Sequence, residues 1–139
     1  FDLKDGFYHF KLSDESASLC TFSSPFGVYK FRRAPFGLSV LPEHFQNMTQ
    51  SIFGNIQGVT VYFDDVLCAA ESIEELTIIV QKVMQAARKH NVKFNPSKLQ
   101  YFVSSVKFLG LIFDSQGIRP DDGKIQAVLD LQSPKSRKD

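Results

Sequence analysis

The sequence predicts an α+β fold: a short antiparallel sheet with two main helices packed on one face. Three observations carry this. Apolar stripes of helical period run through residues 41–53 and 72–90. Strand-like runs lie both before and between them. The connections near Ser24 and Asp64 are tight, and tight connections join antiparallel neighbours because parallel strands need a long crossover. A chain of 139 residues suits one domain with a real core. That domain is expected over residues 1–132, with the polar and basic stretch 133–139 as a linker into whatever follows.

Residues 1–12 alternate aromatic and polar side chains, and read as strand with a short helical break. Thr21 to Arg33 reads as a hairpin, turned by Ser24-Pro25-Phe26-Gly27 with Pro second and Gly fourth. Beyond the turn, Tyr29 and Phe31 face one way and Lys30 and Arg32 the other. The first main helix starts at Leu41, has Pro42 in its first turn and ends at Gly54. Leu41, Phe45, Met48 and Ile52 form its apolar stripe.

Two short β-rich runs surround Asp64-Asp65. Ser72 and Glu75 then form a capping box. It opens a helix whose stripe is Ile73, Leu76, Ile79, Val80, Val83, Met84 and Ala87, with Arg88, Lys89 and His90 complementing the dipole. Asn91 is its expected stop. Leu99 to Val103 and Val106 to Phe113 read as strands. Gly110 marks a bulge or a close backbone approach in the second. Ser115-Gln116-Gly117 turns the chain. Asp121 caps a last short helix carrying Ile125, Val128 and Leu129.

Composition excludes several classes. Net charge is +1, so the whole chain is no polycation for coating nucleic acid. Cys20 and Cys68 follow no metal or redox spacing and are too few for a disulfide framework, which points to a reducing, intracellular setting. No apolar run reaches the length of a membrane span, and no signal peptide opens the chain. The opening Phe1-Asp2-Leu3 reads as an element cut in mid-strand, hence a piece of a longer polypeptide.

The chemistry concentrates in Val59-Thr-Val-Tyr-Phe-Asp-Asp-Val-Leu67. Taken alone, Asp64-Asp65 reads first as an acidic tight turn, since Asp is a common turn residue. Yet Asp-Asp is not a favoured two-residue hairpin loop. Adjacent carboxylates also repel, more so beside Tyr62, Phe63, Val66 and Leu67. A hard divalent cation would remove the conflict, given a third acid. Asp2 is that candidate, although alone it reads equally as a turn residue. His9, His44 and His90 show no spacing that would add them to a hydrolase-type metal site.

An ordered series of motifs then resembles a known family. It comprises Asp2-Leu-Lys-Asp-Gly-Phe-Tyr-His-Phe10, Pro25-Phe26-Gly27, Ala34-Pro-Phe-Gly-Leu38, Pro42-Glu-His-Phe-Gln46, Tyr62-Phe-Asp-Asp65 and Phe108-Leu109-Gly110. Each is weak alone. In this order they resemble the palm of a reverse transcriptase from a gypsy-type LTR retrotransposon polyprotein, over essentially the whole chain. Gly117 to Asp121 fits the same family.

The resemblance implies a polymerase palm with a ferredoxin-like core and RNA-directed DNA polymerase activity. It implies Asp2, Asp64 and Asp65 as the catalytic acids, holding two Mg²⁺ ions (or Mn²⁺), with the Leu3 carbonyl as a further ligand. Asp5 and Gly6 would meet the nucleotide triphosphate through their backbone N–H groups, and Phe7 would wall off the sugar 2′ position. A core role for Phe7 is the reading its residue type alone favours. Phe36 and Gly37 would lie beside the incoming nucleotide. Tyr62, Phe108, Leu109 and Gly110 would meet primer and template. Lys30, Arg32 and Arg33 face either nucleic acid or solvent.

The implied partners are an RNA or DNA template, a primer, dNTP, and the fingers, thumb, connection and RNase H parts of the polyprotein, with no membrane. The implied setting is the cytoplasm, in a virus-like particle. Phe63, Leu76, Leu111 and Ser39-Val40-Leu41 depart from the usual pattern, and none of them removes a metal ligand. Without fingers and most of the thumb, the chain alone is expected to have little or no polymerase activity. A catalytically inactive remnant or nucleic-acid-binding module of the same fold is the alternative.

Overall fold

The computed structural model describes residues 1–131. The chain forms two compact units, Phe1–Leu99 and a second that begins at Gln100.

In the first unit the core consists of Leu3, Phe45, Phe53, Val61, Val66, Val83, Ala87 and Val92. Helix α1 (Asp14–Leu19) precedes a hairpin of β1 (Thr21–Ser24) and β2 (Gly27–Lys30). Phe22 stacks on Tyr29 and tilts against Phe31, so those two aromatics do share a face. Helix α2 (Leu41–Phe53) follows, then the antiparallel hairpin of β3 (Val59–Tyr62) and β4 (Asp65–Cys68), then helix α3 (Ile73–Lys89).

Both main helices keep their expected bounds for physical reasons. Pro42 suits the first turn of α2, where its missing N–H would have no partner. The buried line of α2 is Leu41, Phe45, Thr49 and Phe53, while Met48 and Ile52 pack beside it half-buried. Thr49 is tolerated there because its hydroxyl donates to the Phe45 carbonyl at 3.0 Å. At the start of α3, the Ser72 hydroxyl accepts the Glu75 N–H at 3.1 Å. The Glu75 carboxylate reaches back to the Glu71 N–H at 3.4 Å rather than to Ser72. The buried stripe narrows to Ile79, Val83 and Ala87, leaving Ile73 exposed.

Asn91 ends α3 in the left-handed conformation, φ 54°. The Asn91 N–H donates to Arg88 and the Val92 N–H to Ala87, a Schellman pattern that reverses the chain. The reversal lays residues 92–95 beside the chain start. Lys4 N–H donates to the Lys93 carbonyl and Asn95 N–H to the Asp2 carbonyl, both at 2.8 Å. On the other side, Leu3 N–H donates to the Asp64 carbonyl at 2.7 Å and Val66 N–H to the Phe1 carbonyl at 2.8 Å. Residues 1–4 thus lie between 92–95 and β4, bonded to each by antiparallel backbone contacts.

Several expectations need correction. Residues 1–12 are strand only at isolated pairings (Asp2, Leu3 and Lys11), with a 3-10 turn at Gly6–His9. The helix α1, capped by the Ser13 hydroxyl on the Ser16 N–H, is additional. Residues 99–103 form no strand, because Phe102 takes φ 51° and breaks the extended run.

In the second unit, residues 106–113 are two strands rather than one: β5 (Ser105–Phe108) and β6 (Leu111–Asp114). β7 (Gly117–Pro120) pairs with β6, and α4 (Asp122–Leu129) follows with Asp121 as its cap. The expected linker 133–139 lies outside the described residues.

Candidate active site

The hairpin of β3 and β4 closes with Tyr62 paired to Asp65. That register leaves two loop residues, Phe63 and Asp64. The acid pair is therefore split: Asp64 stands in the loop, and Asp65 is the first residue of β4. The expectation of both acids at the tip is corrected on this point. Phe63 holds φ 50°, a left-handed backbone unusual for a bulky side chain.

Asp2 pairs with Asp65 across an antiparallel bridge. The Leu3 N–H on the Asp64 carbonyl ties the same strand to the loop. The chain start and the hairpin thus bring Asp2, Asp64 and Asp65 onto adjoining backbone. Burial, then the Asp64 and Asp2 carboxylates, push the Asp65 carboxyl above its ordinary value. The Lys98 ammonium lies 3.0 Å from the Asp2 carboxylate, on a side chain that is 62% exposed. Its bond to Asp2 and its attraction to Asp2, Asp64 and Asp65 raise the Lys98 pKa.

The donor chemistry suits a hard divalent cation: three carboxylates, with no sulfur or imidazole among them. Among the described residues, no three acid, His or Cys side chains already stand close enough to hold an ion. One Asp2 carboxylate oxygen is engaged with Lys98 instead.

Asp2 and Asp64, though not Asp65, line a cavity of about 630 Å³ together with Lys98, Phe7, Phe36 and Phe45. Leu3, Asp5 and Gly6 also line it. Asp5 takes φ 55° as it opens the 3-10 turn. A Cβ on Gly6 would lie 3.0 Å from the Phe45 ring, a tight contact on that buried ring that glycine avoids. Phe7 meets Phe45 and Phe36 edge-on, at 5.4 and 5.3 Å between ring centres. Its position therefore combines core packing with a cavity wall. Phe36 is 69% exposed, and Gly37 follows it with φ 95° and open space around it. Tyr62 is half exposed and packs edge-on against Phe63. Arg33 donates to the His9 carbonyl at 3.1 Å.

Phe108, Leu109 and Gly110 belong to the second unit. Leu109 and Gly110 form the two-residue loop between β5 and β6, both with positive φ (53° and 75°). A Cβ on Gly110 would collide with the Lys124 side chain. A turn takes the place of the expected bulge, and the neighbour of Gly110 is the flexible Lys124 side chain.

Two contributors went unassigned in the sequence. Lys98 sits at the end of Asn95-Pro96-Ser97-Lys98, a turn capped by the Asn95 side chain on the Ser97 N–H. The Asn-Pro turn and its lysine were legible as a motif, but not its partner Asp2. Gln46, one residue beyond the buried Phe45, reaches β3 and the loop.

The sequence model of the family described as reverse transcriptase (RNA-dependent DNA polymerase) matches residues 1–113. The chain is 33% identical over 135 residues to a retrovirus-related Pol polyprotein from transposon 412 of Drosophila melanogaster, covering 96% of this chain and 11% of that protein. It is 30% identical over 140 residues to the transposon Tf2-7 polyprotein of Schizosaccharomyces pombe, covering 99% of this chain and 10% of that protein. The chain thus spans about a tenth of these relatives.

Among solved structures, a foamy viral protease-reverse transcriptase in complex with dsDNA superposes with a TM-score of 0.91 at 23% identity, over 99% of this chain and 29% of that one. The same viral protein in complex with an RNA/DNA hybrid gives 0.89 at 23% identity, over 96% and 18%. These two show the fold. With the family match over residues 1–113 and the polyprotein relatives, they lead to one assignment: the chain belongs to the reverse transcriptase (RNA-dependent DNA polymerase) family.

Proposed function

We propose that this chain is the palm of an RNA-directed DNA polymerase, working within a gypsy-type retrotransposon polyprotein. It transfers a nucleotide from dNTP to a primer 3′-hydroxyl on an RNA or DNA template. The observation that carries the reading is the pairing of Asp2 with Asp65, with Leu3 bonded to the Asp64 carbonyl, at the edge of an aromatic-walled cavity.

Asp2, Asp64 and Asp65, with the Leu3 carbonyl, would hold two Mg²⁺ ions (or Mn²⁺). When bound, such ions activate the attacking hydroxyl and neutralise charge on the transferring phosphate and the leaving pyrophosphate. The chain's own residues supply position. The backbone at Asp5 and Gly6 faces the triphosphate. Phe7, braced by Phe45, closes the space a ribose 2′-hydroxyl would need. Phe36 and Gly37 flank the incoming nucleotide. Tyr62 and the loop Phe108-Leu109-Gly110 bear on primer and template. Fingers, thumb, connection and RNase H come from the rest of the polyprotein, in a cytoplasmic virus-like particle.

The Lys98–Asp2 ion pair favours a second reading, an inactive remnant of the same fold in which the lysine permanently replaces the cation. Primer extension on an RNA template, by the reverse transcriptase that carries these residues, separates the two. The polymerase reading predicts Mg²⁺-dependent extension that Asp64→Asn lowers about a thousandfold or more. Extension that persists in Asp64→Asn overturns the site, and no extension by the parent supports the remnant.

A further inference from the structure

We propose that Gln46 is a positioning residue that sets the hairpin loop carrying Asp64, and hence the placement of the acids. The proposal rests on the reading of Asp2, Asp64 and Asp65 as the polymerase site.

The geometry is specific. Among the described residues β3 pairs with β4 on one side only, so its other edge presents backbone groups that no described strand satisfies. Tyr62 faces Asp65 in the closing pair, which turns the Val61 carbonyl and the Phe63 N–H outward. Both meet one side chain. The Gln46 Oε1 accepts the Phe63 N–H at 2.6 Å, and the Gln46 Nε2 donates to the Val61 carbonyl at 3.3 Å. A single amide thus serves as the missing strand at the last two outward positions before the acids.

Its origin is rigid. Gln46 follows Phe45, which is 1% exposed, and precedes Thr49, which is fully buried, so the helix carrying it is anchored in the core. Its target is the opposite. Phe63 holds a left-handed backbone that favours glycine, and Asp64 is the next residue. A strained loop persists only where its surroundings over-determine it, and the Gln46 amide is a side chain that grips this one directly. Leucine or methionine at 46 would fill the space but leave the Phe63 N–H without its acceptor.

The test is made in the reverse transcriptase that carries these residues, with rates normalised to primer-bound enzyme. Gln46→Met is expected to lower kcat roughly tenfold to a hundredfold, because small misplacements at a reacting centre have effects of that size. The KM for dNTP should change little, and the Mg²⁺ concentration for half-maximal rate should rise. Gln46→Glu keeps the acceptor for Phe63 and should recover part of the loss. Phe63→Gly removes the left-handed demand, so adding Gln46→Met to it should cost less than Gln46→Met costs in the parent.

Unchanged kcat and Mg²⁺ dependence in Gln46→Met overturn the proposal. So does a loss that tracks only a lower folded fraction, or strict additivity with Phe63→Gly. Asp64→Asn is run alongside: if it stays active, the underlying site is wrong, whatever Gln46 does.

Discussion

Asp65 begins β4 opposite Asp2, and burial, Asp64 and Asp2 together hold its carboxyl above the ordinary value. A raised folded value means the ionised form opposes folding. The favourable contribution of Asp65 is complete below its ordinary value of 3.8, and it is lost as pH rises through the folded value. Asp65→Asn, which cannot ionise, should therefore melt above the parent chain at pH 7, with the gap closing toward pH 4. A lower melting temperature at neutral pH would reverse the sign. Gly6 makes a second residue-scale prediction. Gly6→Ala places a methyl 3.0 Å from the buried Phe45 ring and should cost about 1–3 kcal/mol, read from urea unfolding. The three acids stood out as candidates because ordered motifs surround them, and the structure brings them onto adjoining backbone. Lys98 and Gln46 did not stand out, since their partners are backbone and carboxylate groups far away in sequence.

At the scale of elements, α2 and α3 were legible because a helical period and end signals agree over 13 and 17 residues. Short elements defeated the same reading. α1 has six residues and β7 four, too few to show a period. The run at Leu99–Val103 is apolar enough for a strand, but Phe102 takes a left-handed backbone within it. Asn91 is the element-scale position that matters most for the site, because its turn brings residues 92–95 against the Asp2 strand. Asn91→Gly should be neutral or slightly stabilising. Asn91→Val should cost about 1–2 kcal/mol, because a β-branched residue resists φ 54°. Equal stability of the two variants in urea would show that the Schellman turn carries no such constraint.

Across the whole molecule, the main cluster of buried side chains lies entirely within residues 1–99. A chain ending at Leu99 should keep the slow amide exchange of α2 and α3, and complete loss of protection there would contradict an independent first unit. The division after Leu99 was hidden in the sequence, because no Pro-, Gly- or Ser-rich linker marks it. The fold class was visible from strands, helices and tight connections, whereas the pairing of Asp2 with Asp65 joins residues far apart in the chain that no local signal links. The central claim is that Asp2, Asp64 and Asp65 share divalent cations. Mn²⁺ titration of the isotope-labelled chain, read from paramagnetic broadening of its amide signals, tests it most directly. Asp2, Leu3, Asp64 and Asp65 should broaden first, and Asp64→Asn should remove the effect. Broadening centred elsewhere, or unchanged in Asp64→Asn, would contradict it.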